Sequence, residues 1–213
     1  MEKYIKIASK ADPRVILRVV PGHFVTPNSH VNYYLDMSAI RSRVNEAQAA
    51  AALLASYHFY STAVDTIVCL EGTEVIGAFL AEELTKAGVI SMNAHKSMYV
   101  LTPESSISGQ MIFRGELRQW INGKNVLLLL ASATTGTTIT RAVETLIYYG
   151  AKISGISAVF SIATKIGSLP VQSIFTQSDL TDYLAHAPKD CPMCKKGLPV
   201  SGICNGYGMS PIE

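Results

Sequence analysis

The 213-residue chain has no apolar run approaching the roughly 18 residues that a membrane-spanning helix needs, and Met1-Glu2-Lys3-Tyr4 does not lead a basic segment into an apolar one. No membrane partner is expected, and a cytoplasmic location is. Charge is scarce: charged residues are 16% of the chain, the formal net charge is +2, and the 18 Lys and Arg residues make no run longer than Lys195-Lys196. A nucleic-acid backbone would find no basic track to follow. Cysteine is scarce too. Four cysteines do not make a disulfide scaffold, and three of them, Cys191, Cys194 and Cys204, crowd the tail, where reduced thiols or a metal are expected. There is no Ser-His-Asp set or nucleophile elbow, and no repeat beyond the two units described next.

What is present is 48% hydrophobic sequence, enough for one main core, arranged in two stretches of strand, turn, helix and strand. In the first, Thr66-Ile67-Val68-Cys69-Leu70 suits a buried parallel strand and Glu71-Gly72-Thr73 the turn. Ile76, Phe79, Leu80 and Leu84 then share one helical face, Gly88 stops the helix, and Val89-Ile90-Ser91-Met92 returns as a strand. In the second, Val126 to Ala131 is an unbroken apolar run, read as a central strand. After a threonine-glycine turn, Ile139, Ala142, Val143, Leu146 and Ile147 form a helical stripe closed by Gly150, and residues 152–162 supply the next strand. Between the units, Asn93 to Lys124 reads as a long loop or hairpin. Upstream, Arg41 to Tyr60 favours helix, and Phe24 to Asp36 reads as a turn-rich cap. The expected architecture is an α/β domain over residues 1–186, with an open, mostly parallel sheet covered by helices on both faces and an N-terminal cap over about residues 1–40. An irregular Cys, Pro and Gly-rich tail, 187–213, follows.

The turn Thr134-Thr135-Gly136-Thr137-Thr138 joins a buried strand to a helix N-terminus. Such a turn aims several backbone N–H groups at one point, where the helix dipole also favours an anion, and Gly136 lets the backbone approach without a Cβ in the way. A phosphate is the natural guest, and threonines that merely cap the helix are the competing reading.

Taken in order, the motifs resemble the orotate phosphoribosyltransferase family, of type I phosphoribosyltransferase fold, over most of the chain. Gly22-His23-Phe24 with Tyr33-Tyr34-Leu35-Asp36 resembles the family's N-terminal segment, which implies a base pocket at Phe24, Tyr33 and Tyr34. Glu71-Gly72-Thr73-Glu74 falls at its pyrophosphate loop. Asn125 to Thr138 is similar to its signature, a hydrophobic strand followed by a loop for the 5′-phosphate of phosphoribosyl pyrophosphate. Pro170 to Phe175 is similar to its following strand, and Cys191-Pro192-Met193-Cys194 to a tail of some members. The resemblance implies a phosphorylated small-molecule partner, either a nucleotide or phosphoribosyl pyrophosphate, a homodimer, and magnesium if the chain is catalytic.

Three departures remove charge from the implied site. Leu130-Ala131 stands where the family has two consecutive acidic residues for the ribose hydroxyls. Ser97 to Phe113 contains no Arg, Lys or His to neutralise a departing pyrophosphate, although Lys96 and Arg114 flank it. Ser161-Ile162 replaces an Asp-Arg pair that would meet orotate. The catalytic residues are therefore unknown. The expected function is binding of a nucleotide or phosphoribosyl ligand with weakened or lost orotate transfer. An active orotate transferase using other residues and a structural dimer partner are the alternatives.

Cys191, Cys194, Cys204 and His186 are candidate ligands for a structural zinc, against simple packing of the tail as an apolar turn. His23 and His30 flank the cap, read as surface turn residues or as groups reaching a ligand near Tyr33-Tyr34.

Overall fold

The computed structural model describes residues 4–86, 92–94, 97–105, 110–134, 136–206 and 208–212. Three antiparallel strands come first, β1 (Ile5–Ala8), β2 (Ile16–Val25) and β3 (His30–Asp36), then helices α1 (Ser38–Ser42) and α2 (Val44–Ser56). β4 (Thr66–Cys69), α3 (Glu74–Lys86) and β5 (Tyr99–Leu101) make the first unit. The β6 (Glu104–Ser105) and β7 (Met111–Ile112) hairpin and α4 (Gly115–Arg118) lead to β8 (Asn125–Ala133), α5 (Thr137–Tyr148) and β9 (Lys152–Ser161). After β10 (Lys165–Ile166), β11 (Leu169–Thr176) and β12 (Ala185–His186) come α6 (Pro192–Lys195), β13 (Gly202–Asn205) and β14 (Gly208–Pro211).

The central sheet has the order β10-β11-β9-β8-β4-β5, parallel from β11 to β5. β8 lies inside it because its apolar run can be buried on both faces. Successive residues of a strand point to opposite faces, and from Val126 to Ala131 they divide strictly between two cores. Leu127, Leu129 and Ala131 join the core formed with α2 and α3, whereas Val126, Leu128 and Leu130 join the core under α5. Helices therefore cover both faces. On α5 the inward stripe is Ile139, Ala142, Val143 and Leu146; Ile147, expected with them, is 59% exposed at the edge of the stripe. The stop at Gly88 and the return strand from Val89 lie outside the described residues, apart from Met92 in a turn, and the strand beside β4 is β5.

A second sheet, β12-β3-β2-β13-β14 with β1 added on β2, packs into the same core as α1, α2 and α3. The bidentate pair of Arg18 with buried Glu46 (2.9 and 3.0 Å) ties it to α2. Phe24 to Asp36, whose Pro, Asn and Ser suggested turns, is the β2–β3 hairpin with a turn confined to residues 26–29. The burial of Phe24 and Val31, paired across the hairpin, outweighs those residues. The tail is likewise more regular than its composition suggested. β13 runs parallel to β2 and buries Gly202 and Cys204, so the segment 187–213 supplies two strands to the N-terminal sheet.

Among the described residues no helix is long and apolar enough to cross a membrane.

Candidate functional site

β4 and β8 lie side by side in the sheet, and their carboxyl ends open into one cavity of about 570 Å³, closed on its other side by the N-terminal sheet. It is lined by three of the segments singled out in the sequence: Thr134, Gly136 and Thr138; Glu71, Gly72 and Glu74; Tyr33 and Tyr34. The sheet order, not proximity in sequence, brings them together, as parallel α/β sheets do at strand ends.

At the α5 end the cavity meets the N-terminus of a helix, where the helix dipole favours negative charge. Gly136 is the N-cap of α5 in a left-handed conformation (φ 74°) and, as a glycine, has no side chain of its own to cap the helix. Thr138 faces the cavity. Thr134 also lines it and hydrogen-bonds the hydroxyl of buried Tyr183. Thr137 opens the helix without lining the cavity, and Thr135 lies outside the described residues.

Glu71 and Gly72 are consecutive residues with positive φ, 58° and 76°. This is uncommon for a glutamate, and it turns the chain sharply enough to aim the Glu71 side chain at β8. Glu71 Oε2 accepts the N–H of Ser132 at 3.0 Å, and a second backbone hydrogen bond comes from Ala131. Burial pushes the Glu71 carboxyl above its ordinary range, against the pull of these amides and of Arg41. Arg41 Nη1 in turn donates to the carbonyls of Glu71 and of Gly206 (2.5 Å for the latter). A side chain at Gly72 would meet Arg41 Nη1 at 3.1 Å. Thr73 lies away from the cavity, fully buried, its hydroxyl donating to the carbonyls of Leu70 (2.9 Å) and Leu129 (3.3 Å). Glu74 accepts from Thr102 Oγ1 at 3.0 Å.

Phe24 is 1% exposed and does not line the cavity; its ring packs 6.0 Å from that of Tyr34. Burial first, and the nearby Asp36 charge second, push the Tyr34 hydroxyl up to about 12, so it stays protonated. The Tyr33 hydroxyl donates to Asp182. Sequence reasoning missed Arg41, in a helix-favouring stretch with no motif around it, and Cys204, Asn205 and Gly206, which reach the cavity only because β13 joins β2. It also missed Arg141, one turn beyond Thr138 on α5, in a small groove beside Glu71 and Ser105 of the hairpin. The α5 helical spacing from Thr138 was the available signal.

The three departures have structural counterparts. Leu130 is fully buried under α5, so of the pair Leu130-Ala131 only Ala131 faces the cavity. Ser161 is buried, its hydroxyl donating to the Ala163 carbonyl at 2.7 Å. Arg114 is held in an exposed bidentate pair with Glu104 (both 2.7 Å). Magnesium, which the resemblance implies, finds no carboxylate on β8 itself; the carboxylates lining the cavity among the described residues are Glu71 and Glu74.

The four candidate metal ligands do not converge. Cys204 points into the core beside Tyr34 and lines the cavity, and His186, paired across the backbone with His30, keeps its Nε2 buried without a partner among the described residues. Cys191 and Cys194 instead meet His23 and His30. His23 is 3% exposed, not the surface turn residue one reading gave.

A scan against models of known protein families finds no match. An orotate phosphoribosyltransferase of Chlorobium phaeobacteroides is 26% identical over 186 residues, covering 85% of this chain and 86% of that protein. Among solved structures, adenine phosphoribosyltransferase from Leishmania donovani is similar with a TM-score of 0.52 at 17% identity, covering 76% of this chain and 78% of that one. Mycobacterium tuberculosis H37Rv orotate phosphoribosyltransferase in complex with 5-phospho-alpha-D-ribosyl 1-diphosphate gives 0.51 at 15% identity, covering 69% and 82%. The fold is that of the type I phosphoribosyltransferases. The curated sequences it is similar to, at 23–26% identity over 85% of the chain, are orotate phosphoribosyltransferases.

Proposed function

We propose that the cavity binds a phosphoribosyl compound, either a nucleotide or phosphoribosyl pyrophosphate, with its phosphate on the turn at Thr134 to Thr138, and that transfer to orotate is weak or lost. The observation that carries this reading is the meeting, in one cavity, of the α5 N-terminus with the Glu71-Gly72 turn and the Tyr33-Tyr34 pair. The relative solved with phosphoribosyl pyrophosphate supports the ligand class. In this reading the helix N-terminus takes the phosphate, the tyrosines flank a base, and the chain acts as a homodimer.

Two features argue for weak chemistry. Arg41 is the one Lys or Arg among the described residues lining the cavity, whose lining also carries the two carboxylates Glu71 and Glu74. Such lining suits one phosphate better than the charge that develops on a departing pyrophosphate. The strand end also offers Ala131 where ribose hydroxyls need acceptors, and each hydroxyl left weakly paired costs about 1–3 kcal/mol.

A specific observation keeps the catalytic alternative: the Glu71 carboxylate lies on the amides of Ala131 and Ser132, where it can take over from the missing acids. Calorimetric titration with uridylate, orotidylate, phosphoribosyl pyrophosphate and inorganic phosphate tests binding. No heat with any of the four would sink the reading and leave a structural dimer partner. Orotidylate formation from orotate, phosphoribosyl pyrophosphate and magnesium separates the two catalytic readings: turnover far above background favours the enzyme, and turnover at background the binder.

A further inference from the structure

Away from the cavity, at the junction of the tail with the N-terminal hairpin, four side chains have no task in the reading above. His23 sits on β2 where the register with β3 slips between Pro21 and Phe24, and His30 opens β3 opposite Val25. Cys191 is the residue before α6 and Cys194 lies within it. One ligand atom from each lies within 4.8 Å of all the others.

Four of the six separations are close to the edges of a small tetrahedron, and the other two are within 4.8 Å. His23 Nε2 is 3.1 Å from His30 Nδ1, 3.7 Å from Cys191 Sγ and 3.6 Å from Cys194 Sγ, and Cys194 Sγ is 3.2 Å from His30 Nδ1. With metal–nitrogen bonds of about 2.0 Å and metal–sulfur bonds of about 2.3 Å, a tetrahedral ion needs edges of roughly 3.3 Å between nitrogens and 3.5 Å between nitrogen and sulfur.

Hydrogen bonding alone does not account for the cluster. His23 Nδ1 lies 3.0 Å from the Leu198 carbonyl, which can only accept, so Nδ1 carries the proton and the neutral ring presents a single lone pair at Nε2. Three groups crowd that one lone pair: an imidazole and two thiols. One cation at the centre satisfies all four donors. The Leu198 carbonyl also provides what metal-bound histidines usually have, a partner on the other ring nitrogen that fixes the tautomer.

We infer that His23, His30, Cys191 and Cys194 bind one zinc ion. Two thiols lose their protons to solvent on binding, and two thiolates with two neutral imidazoles make a tetrahedral set neutral with a divalent ion. Four protein ligands leave no open position, so the site is structural. It fastens the tail to β2, together with the hydrogen bonds Ser201 N–H to His23 O (2.7 Å) and His23 N–H to Ser201 Oγ (3.1 Å). β13 follows at once and carries Cys204 and Asn205 to the cavity wall.

The test is metal content and cobalt spectroscopy on the full reduced chain, purified without a polyhistidine tag. About one zinc per chain is expected, and cobalt replacing it gives tetrahedral d–d bands with a thiolate-to-cobalt charge-transfer band. Cys194→Ser, at the exposed ligand, loses about half of that band because Cys191 remains the one thiolate, while Cys204→Ser and His186→Asn keep all of it. Reduced wild-type chain that takes up neither zinc nor cobalt stoichiometrically overturns the proposal, as does a Cys194→Ser chain with the full charge-transfer band. Should Cys194→Ser not fold, the wild-type cobalt spectrum decides: without thiolate charge transfer the assignment fails.

Discussion

Glu71 Oε2 and the backbone N–H of Ser132 are 3.0 Å apart, so the carboxylate facing the end of β8 comes from the turn after the neighbouring strand, not from β8. If this carboxylate receives the ribose hydroxyls, Glu71→Gln lowers the affinity for uridylate by about 10- to 100-fold, the range of a hydrogen bond to a charged group. Glu74→Gln, whose carboxylate is held by Thr102, changes it less. Titration calorimetry on both variants checks this, and equal effects would remove Glu71 from the role.

Gly136 holds φ at 74°, and a Cβ there would also meet Ile166 Cδ1 at 3.2 Å. Gly136→Ala is expected to shift the turn away from the first amides of α5 and reduce phosphate binding about tenfold or more, while the melting temperature falls by only a few degrees. Thr138→Val removes one cavity hydroxyl and costs less. Inorganic phosphate is the probe, since it isolates this end of the cavity.

His58 is buried, its Nε2 2.7 Å from Ser157 Oγ and its Nδ1 3.2 Å from Thr62 Oγ1, and burial lowers it from 6.5 to about 4. The unfolded chain binds the proton first as the pH drops. The contribution is therefore complete above about pH 6.5 and is lost progressively as pH falls toward 4, to a total of about 3 kcal/mol. Denaturant unfolding at pH 7 and pH 5 is expected to show wild type losing about 2 kcal/mol through this group. His58→Gln should be less stable at pH 7 but flatter between the two pH values; parallel profiles would show that His58 is not the titrating group.

Gly77 of α3 lies against β4 so closely that a Cβ would overlap Cys69 Sγ and press Val100 Cγ1 at 3.2 Å. Gly77→Ala is expected to cost about 1–3 kcal/mol despite the better helix propensity of alanine. Cys69→Ala in the same chain should recover much of that loss. Additive losses in the double variant, measured by denaturant unfolding, would place the strain elsewhere.

Much of the frame was legible because the two α/β units obey local rules. Val126 to Ala131 is apolar at every position, which only a strand buried on both faces can use, and the α5 stripe repeats at helical spacing. The N-terminal hairpin was harder to read, since Pro21, Pro27, Asn28 and Ser29 suggest turns and the alternation that makes β2 and β3 a sheet is broken by the register shift at Pro21 to Phe24. Phe24 resembled a base-pocket residue in sequence, yet on β2, opposite Val31, its ring is buried in the core.

The sequence by itself determined the parallel sheet, the helices that cover it and the threonine-glycine turn after its central strand, because burial pattern, propensity and the special conformation of glycine act over a few neighbouring residues. Which distant groups meet was decided by tertiary structure alone. β4 beside β8 sets Glu71 against the amides after Leu130, and β13 beside β2 brings Cys204 and Asn205 to the cavity. His23 and His30, rather than Cys204 and His186, meet Cys191 and Cys194 because the tail folds back on the hairpin. Spacing along a chain cannot encode such a meeting, which depends on strand order and on the direction in which each side chain leaves its strand.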